Sequence, residues 1–387
     1  MRALTAAAAA LALVFPVAAG ASQRMFVGAA EDASKAPTLV QAKVKMDLAK
    51  LAGFDAVRVT AQWLPGETAP LSSELVGLQN AIDAAGLDGI EVFLSVYPFG
   101  SSVTPLIAQS RSDFAAFAAS LAQAFPTVHR FIIGNEPNLN RFWMPQFTST
   151  GRDAAAPAYE ALLAQTYDAL KAVSPAAIVI GGSLSPRGND SPSSKKHSPT
   201  RFLADLGQAY RRSGRTLPIM DAFSLHPYED NSSVPPSFVH PRSTMISLAD
   251  YPKLVTLLGE AFDGTAQPGS TIPIVYDEFG VQSRIPVEKG PVYEGYKPPS
   301  ARPVDEARQG AFYAQALALA ACQPTVMSFL IFHVSDEPQL DRWQSGLFYA
   351  DDTPKTSLVT VQRAISSLRA GRLDDCAGVF GVGPAGR

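Results

Sequence analysis

Eight short apolar runs, each followed by a segment with helical spacing, constrain this chain more than any other feature. The runs lie near residues 25–29, 56–60, 91–96, 128–134, 177–181, 222–225, 272–276 and 326–332. They are mostly continuous and rich in Val, Ile and Phe, as strands buried on both faces are. Between them, apolar residues recur at helical spacing, as in 114–125, 159–173, 202–212, 307–321 and 358–368. Strand–helix alternation repeated about eight times predicts a closed parallel (β/α)8 barrel of the TIM type, in a single domain.

The connections are unequal. Helix-to-strand links are brief, as in Gly86-Leu87-Asp88-Gly89, Phe125-Pro126-Thr127, Ser174-Pro175 and Gln323-Pro324. Strand-to-helix links are long and rich in Pro, Ser, Asn and aromatics, at 138–156, 184–199, 227–244, 282–303 and 333–354. In such a barrel all strand-to-helix loops gather at one end, where an active site is built. No second domain or internal repeat interrupts the pattern.

The first residues read as an export signal. Arg2 gives a positive start, 3–17 is alanine-rich and apolar apart from Thr5, and Ala19-Gly20-Ala21 is a small-residue cleavage site. The expected organisation is a signal over 1–21 and a barrel over 22–387 with a short C-terminal tail. The expected location is secreted or periplasmic, with no membrane contact after cleavage. A net charge of −3 and a pI near 6.0 give no reason to expect nucleic acid or an anionic membrane as partner. The two cysteines, Cys322 and Cys376, are expected to form a disulfide in an oxidising compartment. No Cys/His cluster has zinc-site spacing, so no metal or other cofactor is expected. A monomer is expected.

Two strand ends carry the chemistry. Ile133-Gly134-Asn135-Glu136-Pro137-Asn138 follows the fourth strand, and Ile274-Val275-Tyr276-Asp277-Glu278-Phe279-Gly280 ends the seventh. In a closed barrel these strands face each other across the mouth. Two carboxyls so placed, one protonated and one ionised, are the equipment for cleaving a glycosidic bond by double displacement. Arg58 lies in an otherwise apolar strand, where a charge is costly unless paired. A neighbouring carboxylate supplies the pair, and the pairing keeps that carboxylate ionised.

These segments carry a resemblance. Asn135-Glu136-Pro137, Glu278-Phe279-Gly280 and Val57-Arg58-Val59 look like clan A of the glycoside hydrolases. Gly53-Phe54-Asp55-Ala56-Val57-Arg58 resembles the cellulase family, family 5, and relatives such as family 39. The resemblance implies a secreted retaining β-glycosidase acting on a polysaccharide or oligosaccharide. It implies Glu136 as acid/base, Glu278 as nucleophile, Asn135 as partner of the sugar 2-hydroxyl and Arg58 as the group holding Glu278 ionised. Leu225-His226-Pro227-Tyr228 resembles the His-x-Tyr of these families, which implies Tyr228 bonded to the nucleophile and His226 lining a subsite. At the end of the eighth strand, where cellulase relatives usually carry tryptophan, this chain has Ile331-Phe332-His333.

Trp63, Trp143 and Trp343 all fall in expected strand-to-helix loops, where an indole either stacks on a sugar face or anchors its loop. Asp336-Glu337 in the last loop is either a hydroxyl-binding pair or solvated charge. A non-catalytic carbohydrate-binding barrel is the competing reading. A retaining pair requires carboxyls roughly 5–5.5 Å apart, with Arg58 and Tyr228 reaching Glu278 and not Glu136.

Overall fold

The structure, a computed structural model, describes residues 25–372 and Cys376. Eight parallel strands close into a barrel in sequence order. They are β1 (Phe26–Ala30), β2 (Ala56–Trp63), β3 (Glu91–Pro98), β4 (Arg130–Ile133), β5 (Ile178–Leu184), β6 (Ala222–Leu225), β7 (Ile274–Phe279) and β8 (Val326–Phe332). Each is followed by a helix: α1 (Leu39–Ala52), α2 (Ser72–Asp88), α3 (Ala108–Ala124), α4 (Ala155–Val173), α5 (Pro199–Ser213), α6 (Tyr251–Phe262), α7 (Glu306–Ala321) and α8 (Ser357–Arg369). Pairing of Phe26–Ala30 with Ser328–Phe332 closes the ring.

Period-two alternation sorts the strand residues into two cores. Ala56, Phe93, Ile132, Ile180, Ala222, Val275 and Leu330 come one each from β2 to β8 and pack together, with Phe26 of β1 against them. They fill the barrel. The residues between them, such as Val57, Val59, Leu94 and Phe131, join the larger core under the helices.

The helices begin where cap residues supply acceptors. Thr38 accepts from Gln41 N ahead of α1, Ser198 from Arg201 N ahead of α5, and Asp305 from Arg308 N ahead of α7. Several strand limits differ from the expected ones. β4 stops at Ile133, β5 runs on to Leu184, and β7 includes Glu278 and Phe279. α2 runs through Asp88, so only the residues after it link to β3. Trp63 is the last residue of β2 and not a loop residue.

Cys322, immediately after α7, is bonded to Cys376, with 5.5 Å between their Cα atoms. The expected signal at 1–21 lies outside the described residues. Among the described residues, no helix is long and apolar enough to cross a membrane.

Candidate active site

The site starts from an irregularity in β7. The β7–β8 register slips between Tyr276 and Phe279. Both of those rings face outward, Tyr276 bonding Gln323 and Phe279 packing on Tyr313. The bulge lets the two residues between them, Asp277 and Glu278, turn to the same partner. Arg58 Nη1 donates to Asp277 Oδ2 at 2.9 Å, and its Nη2 lies 2.8 Å from Glu278 Oε1. On β2, Val57 and Val59 face the helices, so Arg58 points inward, where it is buried.

Glu278 collects a second donor, Tyr228 OH, at 2.9 Å from Oε2. Arg58 and Tyr228 therefore reach Glu278, as expected. Across from it, Glu136 is set by the end of β4. Gly134 there has φ 93°, and Glu136 itself has φ 38°. A non-glycine residue in that region is strained and persists only where its surroundings hold it. The Glu136 N–H donates to Ser183 O at 2.8 Å, and Leu139 N donates to Glu136 O at 2.9 Å. Tyr159 OH donates to Ile133 O at 2.6 Å and accepts from Gly182 N at 2.8 Å, which joins the ends of β4 and β5.

His226 lies beneath both glutamates. Its Nδ1 is 3.2 Å from Glu136 Oε1 and 3.4 Å from Glu278 Oε2. Those two oxygens therefore lie no further apart than the sum of these distances, 6.6 Å. Its Nε2 is 3.2 Å from Asp277 Oδ2 and 2.9 Å from Ser183 Oγ. Burial works against charge on the ring, but the Glu278 and Asp277 carboxylates outweigh it and push the imidazolium up to about 10. His226 is fully buried and contributes no wall to the cleft, which corrects the expectation that it lines a subsite. It sets charge and position from below.

Asp277 is the residue that sequence reasoning missed. It is wholly buried and accepts from Arg58, Ser183 and His226, and from Ser224 Oγ. Burial alone would raise its carboxyl, but His226 and Arg58, with Ser224, hold it at about 2. A signal was present: two adjacent acids end a strand whose other residues are apolar or aromatic. A buried carboxylate there demands cationic partners.

Above this network opens a cleft of about 1290 Å³. Glu136, Glu278, Arg58, Asn135, Tyr228 and Trp343 all line it. The amide oxygen of Asn135 is buried and has no hydrogen-bond partner among the described residues. One wall is aromatic: Tyr228 lies 4.8 Å from Trp343, ring to ring, and Phe332 meets Trp343 edge-on at 5.6 Å.

The other two tryptophans are corrections. Trp63 is fully buried against Phe114, and its Nε1 donates to Glu67 O. Trp143 is buried against Tyr159. Neither lines the cleft. Both anchor their surroundings because the space under the loops is the space beside the helices, where a large apolar ring is best buried. Asp336 and Glu337 part company. Asp336 is buried in an ion pair with Lys355 at 2.8 Å, and only Glu337 reaches the cleft. Among the described residues, no group of three or more His, Cys, Asp or Glu has the arrangement of a metal site.

No protein-family model matches the chain, and no curated protein does. Solved structures do. A family 39 glycoside hydrolase from Bacteroides cellulosilyticus WH2 superposes with a TM-score of 0.61 at 18% identity, over 88% of this chain and 63% of that one. GH5_18 from Streptomyces cattleya, solved in complex with GlcNAc, gives 0.61 at 16% identity, over 95% of this chain and 83% of that one. The exo-β-1,4-mannosidase Op5Man5 from Opitutaceae bacterium strain TAV5 gives 0.58 at 16%, over 91% and 61%. This chain thus spans somewhat under two thirds of the first and third. At these identities the likeness is one of fold: this is a TIM barrel of the shape found in clan A glycoside hydrolases.

Proposed function

We propose that this protein is a secreted retaining glycoside hydrolase that cleaves β-glycosidic bonds in a polysaccharide or oligosaccharide. One observation carries the reading. Two strand-end glutamates share one buried imidazolium, and only Glu278 also holds Arg58 and Tyr228. A nucleophile must stay ionised, so it gathers donors, while an acid needs fewer. The 6.6 Å ceiling on one oxygen–oxygen distance keeps both carboxyls within reach of one glycosidic bond.

In this mechanism Glu278 attacks the anomeric carbon while Glu136 gives its proton to the leaving oxygen. A covalent glycosyl–enzyme forms. Glu136, now a carboxylate, takes a proton from water, which attacks the same carbon and releases Glu278. In this reading the Asn135 amide oxygen, buried and without a partner among the described residues, takes a sugar hydroxyl, and Trp343 stacks on a C–H face. The alanine-rich leader and the disulfide favour an extracytoplasmic site of action.

The test is Glu278→Ala on a panel of aryl β-glycosides. Turnover is expected to vanish, and azide to restore it with an azide product of inverted anomeric configuration. Unimpaired turnover by the alanine variant overturns the assignment.

A further inference from the structure

We propose that the sugar lying against the β4–β5 rim of the cleft carries a negative charge, either the carboxylate of a uronic acid or a sulfate ester. The proposal rests on the glycosidase reading and adds its substrate class. The loops after β4 and β5 place Arg141, Arg187 and Lys196 on the cleft wall, and Glu136 is the one acid they place there. The other acids of these loops are occupied elsewhere. Asp153 accepts from Ala156 N and lies 3.4 Å from buried His197. Asp190 accepts from both Ser198 N and Ser198 Oγ at the start of α5.

The cations are left over. Arg141 and Lys196 form no ion pair among the described residues. Arg141 sits over the Phe142 ring at 5.3 Å. Arg187 is braced by the Glu229 and Asp230 carbonyls, at 3.0 and 2.8 Å, with the Asp230 carboxylate no nearer than 3.9 Å. The rim is also built firmly. Lys196 is bridged to Leu139, and buried Asn138 ties the two loops through the Ser185 and His197 carbonyls at 3.1 Å each.

The opposite rim differs. The loop after β8 supplies Glu337, Asp341 and Arg342, and Arg342 is paired with Glu337 at 3.3 Å. A neutral sugar gives Arg141 and Lys196 nothing to pair with, and leaves Arg187 only its long 3.9 Å contact with the Asp230 carboxylate. Planar guanidinium groups match carboxylate and sulfate oxygens. A patch of one sign inside a cleft also concentrates the opposite charge. It does so here against a net protein charge of −3.

The experiment measures binding to the Glu278→Ala protein by calorimetry with two matched pairs. One is β-linked oligomannuronate and its carboxyl-reduced neutral form. The other is a sulfated β-linked galactan fragment and its desulfated form. In at least one pair the charged form is expected to bind about tenfold more tightly, an effect of the size that two or three exposed charge pairs supply. The preferred pair tells carboxylate from sulfate. Adding Arg141→Ala and Lys196→Ala, or high salt, is expected to erase the preference, while Arg363→Ala on α8 leaves it. Equal binding within both pairs overturns the proposal and leaves the glycosidase reading intact. Charge-selective binding that the rim variants erase, in a wild-type protein that turns over no glycoside, upholds the rim and overturns the glycosidase reading.

Discussion

Asp277 shows how much one side chain settles. Its carboxylate holds Arg58 Nη1 and His226 Nε2 from below, which leaves Arg58 Nη2 facing Glu278 and His226 Nδ1 facing Glu136. Held at about 2, against 3.8 in an unfolded chain, Asp277 contributes stability that is present above pH 3.8 and lost only as pH falls through about 2. His226 works in the opposite sense. Raised from 6.5 to about 10, it contributes stability that is full below pH 6.5 and lost as pH rises through about 10. Asp277→Asn removes one support of the imidazolium and leaves buried cations short of a partner, at a cost of about 3 kcal/mol or more. The alkaline loss of Tm and of kcat/KM is therefore expected to move to lower pH than in the native protein. Profiles that keep their shape while Tm merely drops would reduce Asp277 to a structural residue.

At the scale of elements, the end of β4 aims Glu136. Gly134 has φ 93°, and a Cβ there would meet Tyr159 Cε2 at 2.8 Å. Gly134→Ala is expected to cost at least about 2 kcal/mol, the sum of backbone strain and displacement of the tyrosine that joins β4 to β5. The urea midpoint should fall at constant slope, and kcat with it. A midpoint unchanged from the native protein would mean that β4 tolerates a different path. The same elements explain what could be read beforehand. Apolar runs and helical spacing are local, so all eight strands and the placing of Glu136, Glu278, Arg58 and Tyr228 were legible. The β7 bulge was not, because a register slip depends on which rings pack outward against α7 and β8. The fates of Trp63 and Trp143 were hidden for a similar reason. Trp63 belongs to the end of β2 and faces the core under the helices, and the loop that carries Trp143 has an underside in the core as well as a face on the cleft; sequence position does not separate these.

At the scale of the whole molecule, the cleft and the disulfide sit at opposite ends of the barrel. The cleft occupies the end to which all eight strands point, while the Cys322–Cys376 bond lies beside the helix-to-strand turn that enters β8. With the linked cysteines 54 positions apart in sequence, the chain-entropy account assigns the bond about 4 kcal/mol. For a chain of this size that corresponds to a Tm lower by roughly 5 °C on reduction or in the Cys322→Ser, Cys376→Ser double variant. Calorimetry should show the shift with kcat unchanged; a loss of kcat before any loss of Tm would contradict the separation of the two ends. The ring of strands has one more consequence. A sheet that returns to its own first strand leaves no row of backbone donors and acceptors on which a foreign peptide could be templated. Among the described residues, crowded neighbours meet helices and loops and no open strand edge of the barrel, so this barrel resists fibril growth by its connectivity and not by its charge.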